Sequence, residues 1–165
     1  MKNRNSFTII ELLIYMGILS IILMVFIDLF VSLTRIRTEN ESISNVQQDS
    51  SYLISKFMYD IHQAKTVNLP LHPPSQSNVL SMIVNGTTYS YSVDGANNLI
   101  MSDGSTNYQL NGYDTTVPSI LFTRLGQDDI HDVIKINFTV TSRVKNPAGN
   151  ESQSYETIIG LREKP

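Results

Sequence analysis

The sequence contains no cysteine and no tryptophan. Without thiols there is no disulfide scaffold, no thiolate metal site and no cysteine nucleophile. A surplus of positive charge is missing too: 12 Lys and Arg face 15 Asp and Glu, for a formal net charge of -3. That balance lacks the basic footprint that general nucleic-acid binding by phosphate neutralisation requires, so no direct nucleic-acid partner is expected. His62, His72 and His131 show no metal-ligand spacing, and there is no Gly-x-Ser-x-Gly, phosphate loop or dinucleotide fingerprint. The chain reads as non-enzymatic and without a cofactor. Proline is absent before Pro70, and Gly17 is the only glycine before Gly86. Nothing obvious therefore interrupts a helix in the first part of the chain. At 165 residues the sequence allows one modest domain rather than two large ones.

What is present is unevenly distributed. The mean hydropathy of -0.07 hides an uncharged run from Leu12 to Ile27, beyond which the chain becomes polar after Thr34. Lys2 and Arg4 precede the run. A cleaved secretory signal would end its apolar region at a small-x-small site, but here apolar residues continue through Phe26, Ile27, Leu29, Phe30 and Val31. The 25 residues from Phe7 to Val31 make a helix of about 37 Å, enough to cross a hydrocarbon core of about 30 Å. Lys2 and Arg4 favour a cytoplasmic amino terminus, although Arg35 and Arg37 on the far flank soften that bias. The rest of the chain would then lie outside the cytoplasm.

Glu11 disagrees with a plain lipid anchor. A carboxylate within a spanning helix costs about 2.5 to 3.5 kcal/mol at the centre and less near the interface, and it marks a functional position by default. The plainer account is that Glu11 reaches the headgroups and gains from the positive end of the helix dipole. The whole string is more specific: Lys2 and Arg4, then Ser6-Phe7-Thr8-Ile9-Ile10-Glu11-Leu12-Leu13-Ile14, then the long apolar helix. It resembles the amino terminus of type IV prepilins. The resemblance implies that a membrane prepilin peptidase cuts between Ser6 and Phe7, that Phe7 is then N-methylated, and that Glu11, fifth counting from Phe7, guides filament assembly. Ser6 stands where the family normally has glycine. Cutting there would remove Lys2 and Arg4 and leave a cationic amine on Phe7. Glu11 could pair with the amine of a neighbouring subunit, setting register, or with that of its own chain one helical turn away.

Beyond the run, Ile36, Ile43, Val46, Leu53, Ile54, Phe57, Met58 and Ile61 recur at helical steps. A helix from Phe7 to Ala64 or Val67 is expected, with Arg37 to Ser42 as a solvated stalk. Residues 51–64 also resemble the membrane-distal helix of J-type minor pseudopilins of type II secretion and of W-type minor pilins. Glu11 argues against the K-type tip subunit, which typically lacks that glutamate. Many members carry a helix-breaking proline near Asp28, which itself reads as a marker of the outer interface.

After Pro70, Pro73 and Pro74 the period changes to that of strands. Residues 79–84, 87–93, 98–101, 108–110, 119–125, 133–142 and 154–161 alternate or are rich in β-formers. Asn85-Gly86, Asp94-Gly95 and Asp103-Gly104 supply turns between them, suggesting an antiparallel meander. The expected fold class is α+β and type IV pilin-like: a long helix packed on an antiparallel sheet domain through Val46, Leu53, Ile54, Phe57 and Ile61. The expected organisation is a leader at 1–6, a transmembrane and assembly segment at 7–33, its amphipathic extension at 34–68 and a sheet domain at 69–165. The last hairpin resembles that of J-type and W-type subunits.

Asp128, Asp129 and Asp132 offer hard oxygen ligands for calcium but lack EF-hand spacing, and an exposed acidic loop is the plainer reading. Four glycosylation sequons, at Asn40, Asn85, Asn137 and Asn150, are assigned no role. The resemblance implies other pilins or pseudopilins, a prepilin peptidase, an inner-membrane assembly platform and a cytoplasmic ATPase as partners. It places the chain first in the cytoplasmic membrane among its lipids, then in a filament of the bacterial envelope, as a minor subunit at the tip or in assembly initiation. The competing expectation is an uncleaved, signal-anchored binding module outside the cytoplasm.

Overall fold

The computed structural model describes residues 8–126, 132–145 and 149–161. Helix α1 runs from Ile9 to Gln63, and nine strands follow: β1 (Ala64–Leu69), β2 (Ser75–Ser77), β3 (Leu80–Val84), β4 (Thr87–Val93), β5 (Leu99–Ser102), β6 (Asn107–Gln109), β7 (Thr115–Leu125), β8 (Val133–Ser142) and β9 (Ser152–Gly160). This is an α+β, type IV pilin-like architecture. The chain divides into two compact units, Met1–Glu39 and Asn40–Pro165.

In the first unit the described chain is helix with its apolar side chains exposed on every face, from Ile9 to Ile36. A helix apolar all round is what a hydrocarbon environment selects. α1 is long and apolar enough to cross a membrane.

In the second unit only one face of the helix is covered. Ser42, Val46, Ser50, Leu53, Phe57, Asp60 and Ile61 are buried, at steps of three and four. The stripe is narrower than its hydrophobicity suggests, because Met58 stays exposed and Ile43 and Ile54 are half-buried. Ser42 was expected in a solvated stalk but is fully buried, so the covered face begins there.

Two antiparallel sheets complete the core, in the orders β1-β3-β4-β5-β6 and β2-β7-β8-β9, in place of one meander. Alternation identifies a strand's buried face, but it does not say which sheet that face belongs to. The β3–β4 hairpin uses the expected Asn85-Gly86, both at positive φ (50° and 86°), with Val84 paired to Thr87. The helix stops at Gln63, and residues 64–68, expected to prolong it, are strand. Register shifts in β1 on either side of Thr66-Val67 keep Ala64 and Val67 inward three residues apart. A bulged strand thus imitates a helical period. β7 likewise starts at Thr115, ahead of the expected Ser119, because a register shift between Thr116 and Ser119 accommodates Pro118.

Phe57 sits where the helix meets both sheets. Its ring lies 5.5 Å from Tyr91 in β4, 5.8 Å from Phe122 in β7 and 6.2 Å from Phe138 in β8, all tilted or edge-on. Such pairs add about 0.5 to 1.5 kcal/mol each beyond area burial. Close by, the carboxylate of Asp60 receives Lys56 Nζ at 2.8 Å and the hydroxyl of fully buried Tyr91. Burial first, then the bond to Asp60, raises the Tyr91 phenol well above its ordinary value of 10.0.

Phe57→Ala should lower unfolding free energy by about 3 to 5 kcal/mol, since it leaves a cavity among three rings. Chemical denaturation of the detergent-solubilised chain measures it, and an unchanged midpoint contradicts the shared core. The Tyr91 phenol resists ionisation in the fold, whereas in the unfolded chain it loses its proton near 10.0. Its contribution is therefore whole below that pH and is lost as pH rises beyond it. Thermal melts of wild type and Tyr91→Phe should converge on the alkaline side, the wild type falling more steeply.

Candidate functional site

The start of α1 is built by Thr8. Its carbonyl accepts from Leu12 N at 3.2 Å, and its Oγ1 accepts from Glu11 N at a long 3.4 Å, as an N-cap does. Thr8-Ile9-Ile10-Glu11 has the order of a capping box, in which the glutamate would reach back to the cap. Here Glu11 turns the other way. Its Oε1 accepts a hydrogen bond from the Tyr15 hydroxyl at 3.2 Å, one turn further along. The cap and the Tyr15 contact were both missed in the sequence; the first was signalled by Thr-x-x-Glu and the second by a tyrosine four residues on.

Three further hydroxyls of the first unit bond back onto the helix. Ser20 Oγ donates to Met16 O at 2.8 Å, Thr34 Oγ1 to Phe30 O at 2.9 Å, and Thr38 Oγ1 to Thr34 O at 3.0 Å. Where no water competes, a bond of this kind satisfies the hydroxyl within its own helix.

Of the residues expected to pack helix on sheet, Val46, Leu53, Phe57 and Ile61 are fully buried, and Ile54 is partly buried against the same core. Ser6 and Phe7, with Lys2 and Arg4, lie outside the described residues, as do Asp128 and Asp129. Asp132 is described, and both its oxygens are taken by the buried Arg124, Nε at 3.0 Å and Nη2 at 2.5 Å. Arg124 Nη1 also donates to the carbonyls of Val67, Pro70 and Leu71. Asp132 thus serves a guanidinium that fastens the segment after β1. Among the described residues no three His, Asp or Glu side chains converge as metal ligands would.

A groove of about 720 Å³ lies over β7, β8 and β9, lined in part by Pro118, Phe138 and Tyr155. Four of its polar residues bond in pairs, Asn137 Nδ2 to Glu156 Oε2 at 2.8 Å and Thr139 to Ser154 at 2.9 Å, and Lys135 Nζ reaches Glu156 Oε1 at 2.9 Å.

Residues 1–27 match the family model for the prokaryotic N-terminal methylation motif. That amino-terminal segment is prepilin-like. The match covers Lys2, Arg4, Ser6, Phe7 and Glu11 together with most of the apolar run, which is the segment that carried the resemblance. No curated protein and no solved structure matches the chain. A prepilin-like amino terminus and an exposed apolar helix fit a membrane-anchored envelope protein.

Proposed function

We propose that the chain is a minor pilin or pseudopilin, a non-enzymatic subunit that enters a type IV pilus or type II secretion pseudopilus and acts at its tip or in initiating assembly. The observation that carries this reading is the methylation motif across residues 1–27, continuous with a helix apolar on all faces. Residues 1–6 are the leader, cut between Ser6 and Phe7, and Phe7 is methylated. Residues 7–33 anchor the subunit in the cytoplasmic membrane, amino terminus inside, and pack into the filament after extraction. Asn40 onward carries a core of its own, so a folded head is ready outside the membrane before assembly begins.

The chemistry of assembly falls on Glu11. Cleavage trades the side-chain charges of Lys2 and Arg4 for an amine on Phe7, and the carboxylate of a neighbouring subunit is its complement. Removing one partner of a buried pair typically costs about 3 to 5 kcal/mol, enough to select register. The prepilin peptidase, an inner-membrane platform and a cytoplasmic ATPase are the partners of this cycle. The helix and final hairpin favour the J-type or W-type class.

Intact mass and amino-terminal sequence, from membranes with and without an active prepilin peptidase, test the reading. A chain beginning at N-methyl-Phe7 only when the peptidase is active is expected. An uncut chain retaining Lys2 and Arg4 would point instead to an anchored binding module. Separately, Glu11→Ala should keep membrane insertion and a folded head while filament incorporation falls, measured as the filament-to-membrane ratio of the subunit; wild-type incorporation refutes the role.

A further inference from the structure

Between Ile9 and Ile27 the only side chains able to hydrogen-bond are Glu11, Tyr15 and Ser20. Ser20 spends its hydroxyl on Met16 O. Tyr15 is therefore the one donor in this stretch available to the Glu11 carboxylate, and its hydroxyl is placed on Oε1 at 3.2 Å. The backbone explains why it reaches. Side chains on a helix tilt toward its amino terminus, so a residue four positions on lies over the turn before it.

We propose that Tyr15 is a positioning residue for Glu11: its phenol donates to one carboxylate oxygen, fixes the side chain against its own helix, and leaves the second oxygen as acceptor for a cationic amine. The proposal rests on the pilin reading of Glu11. In hydrocarbon a lone carboxylate and a lone phenol are each costly, and each satisfies the other here. Thr8 makes the arrangement available, because it caps the helix without help from the carboxylate. A subunit waiting in the bilayer then holds Glu11 in one rotamer, where the carboxylate would otherwise sample several. Less conformational freedom is lost when the amine arrives.

The test uses the full chain in its native cells: wild type, Tyr15→Phe, Glu11→Ala and the double variant, each read as the filament-to-membrane ratio with the mature amino terminus checked by mass. Tyr15→Phe keeps the ring and removes only the hydroxyl. It should lower the ratio about three- to eighteen-fold, the average and the maximum measured for side-chain hydrogen bonds between helices in a membrane, with membrane level and processing unchanged. In the Glu11→Ala background it should have no further effect. A second readout is the side-chain carboxyl carbon resonance of Glu11 in the detergent-solubilised chain, expected to shift in Tyr15→Phe. An unshifted resonance overturns the proposal. So does a wild-type ratio for Tyr15→Phe beside a depressed one for Glu11→Ala, or a Tyr15→Phe loss that persists without Glu11, since the hydroxyl would then be serving headgroups. Wild-type incorporation of Glu11→Ala overturns the reading of Glu11 itself.

Discussion

One helix has to satisfy two surroundings. From Ile9 to Ile36 the apolar side chains around α1 are uncovered on every face, whereas from Ser42 to Ile61 one narrow face is covered by protein. The backbone ladder is the same in both stretches, so the burden falls on the side chains. In the first stretch Ser20 and Thr34 find partners on their own helix by bonding to the carbonyl four residues back. In the second, Asp60 and Asp49 reach Tyr91 and Gly112 outside the helix, while Ser50 bonds back to Val46 O at 2.6 Å. The absence of proline before Pro70 and the single Gly17 are what allow one element to do both.

The head meets its half of that requirement by aiming charged and amide groups from core edges at backbone. Phe57 joins helix to both sheets through apolar contact, and the polar groups around it fix where the sheets end. Asp49 Oδ2 accepts from Gly112 N at 2.8 Å and from Thr115 Oγ1, pinning the approach to β7 on the helix. A Cβ at Gly112 would meet that carboxylate at 3.1 Å, so a side chain there would have to push Asp49 back by a few tenths of an ångström. Buried Asn111 accepts from Leu99 N at 2.8 Å and donates to Thr115 O at 2.9 Å, linking β5 to the start of β7. Arg124 does the same for the turn out of β1. Each of these groups would be costly if left unpaired, which is how a small core comes to specify a single arrangement.

Much of this was legible in the residues, and the rest was hidden for identifiable reasons. The buried anchors Val46, Leu53, Phe57 and Ile61 follow from spacing alone, and the turn at Asn85-Gly86 from its demand for positive φ. β1 was hidden because its bulges put Ala64 and Val67 on a helical period. β2, only Ser75–Ser77, carries no alternation to detect. The division into two sheets depends on which strands pair at long range, and a local pattern does not encode that. At the site, Glu11 was conspicuous as a charge in an apolar run, while Thr8 and Tyr15 looked ordinary. Their roles follow from the direction in which helical side chains lean.

That direction bears on how the amino terminus can work. A glutamate at the third helical position after a threonine is ordinarily a helix-capping group, and in that use its carboxylate is committed to its own backbone. Here Thr8 provides the cap and Tyr15 draws the carboxylate away from it. The result is a carboxylate held on the first turn of the helix, where the dipole favours negative charge, yet with acceptor capacity in reserve. An assembly contact needs that combination, because a fully satisfied carboxylate would gain little from a new cation and an unsupported one would be too costly to carry in the membrane. Since the head's core begins at Ser42 and includes none of these residues, changes at Thr8, Glu11 or Tyr15 that alter the proposed contact would leave the fold of the head intact.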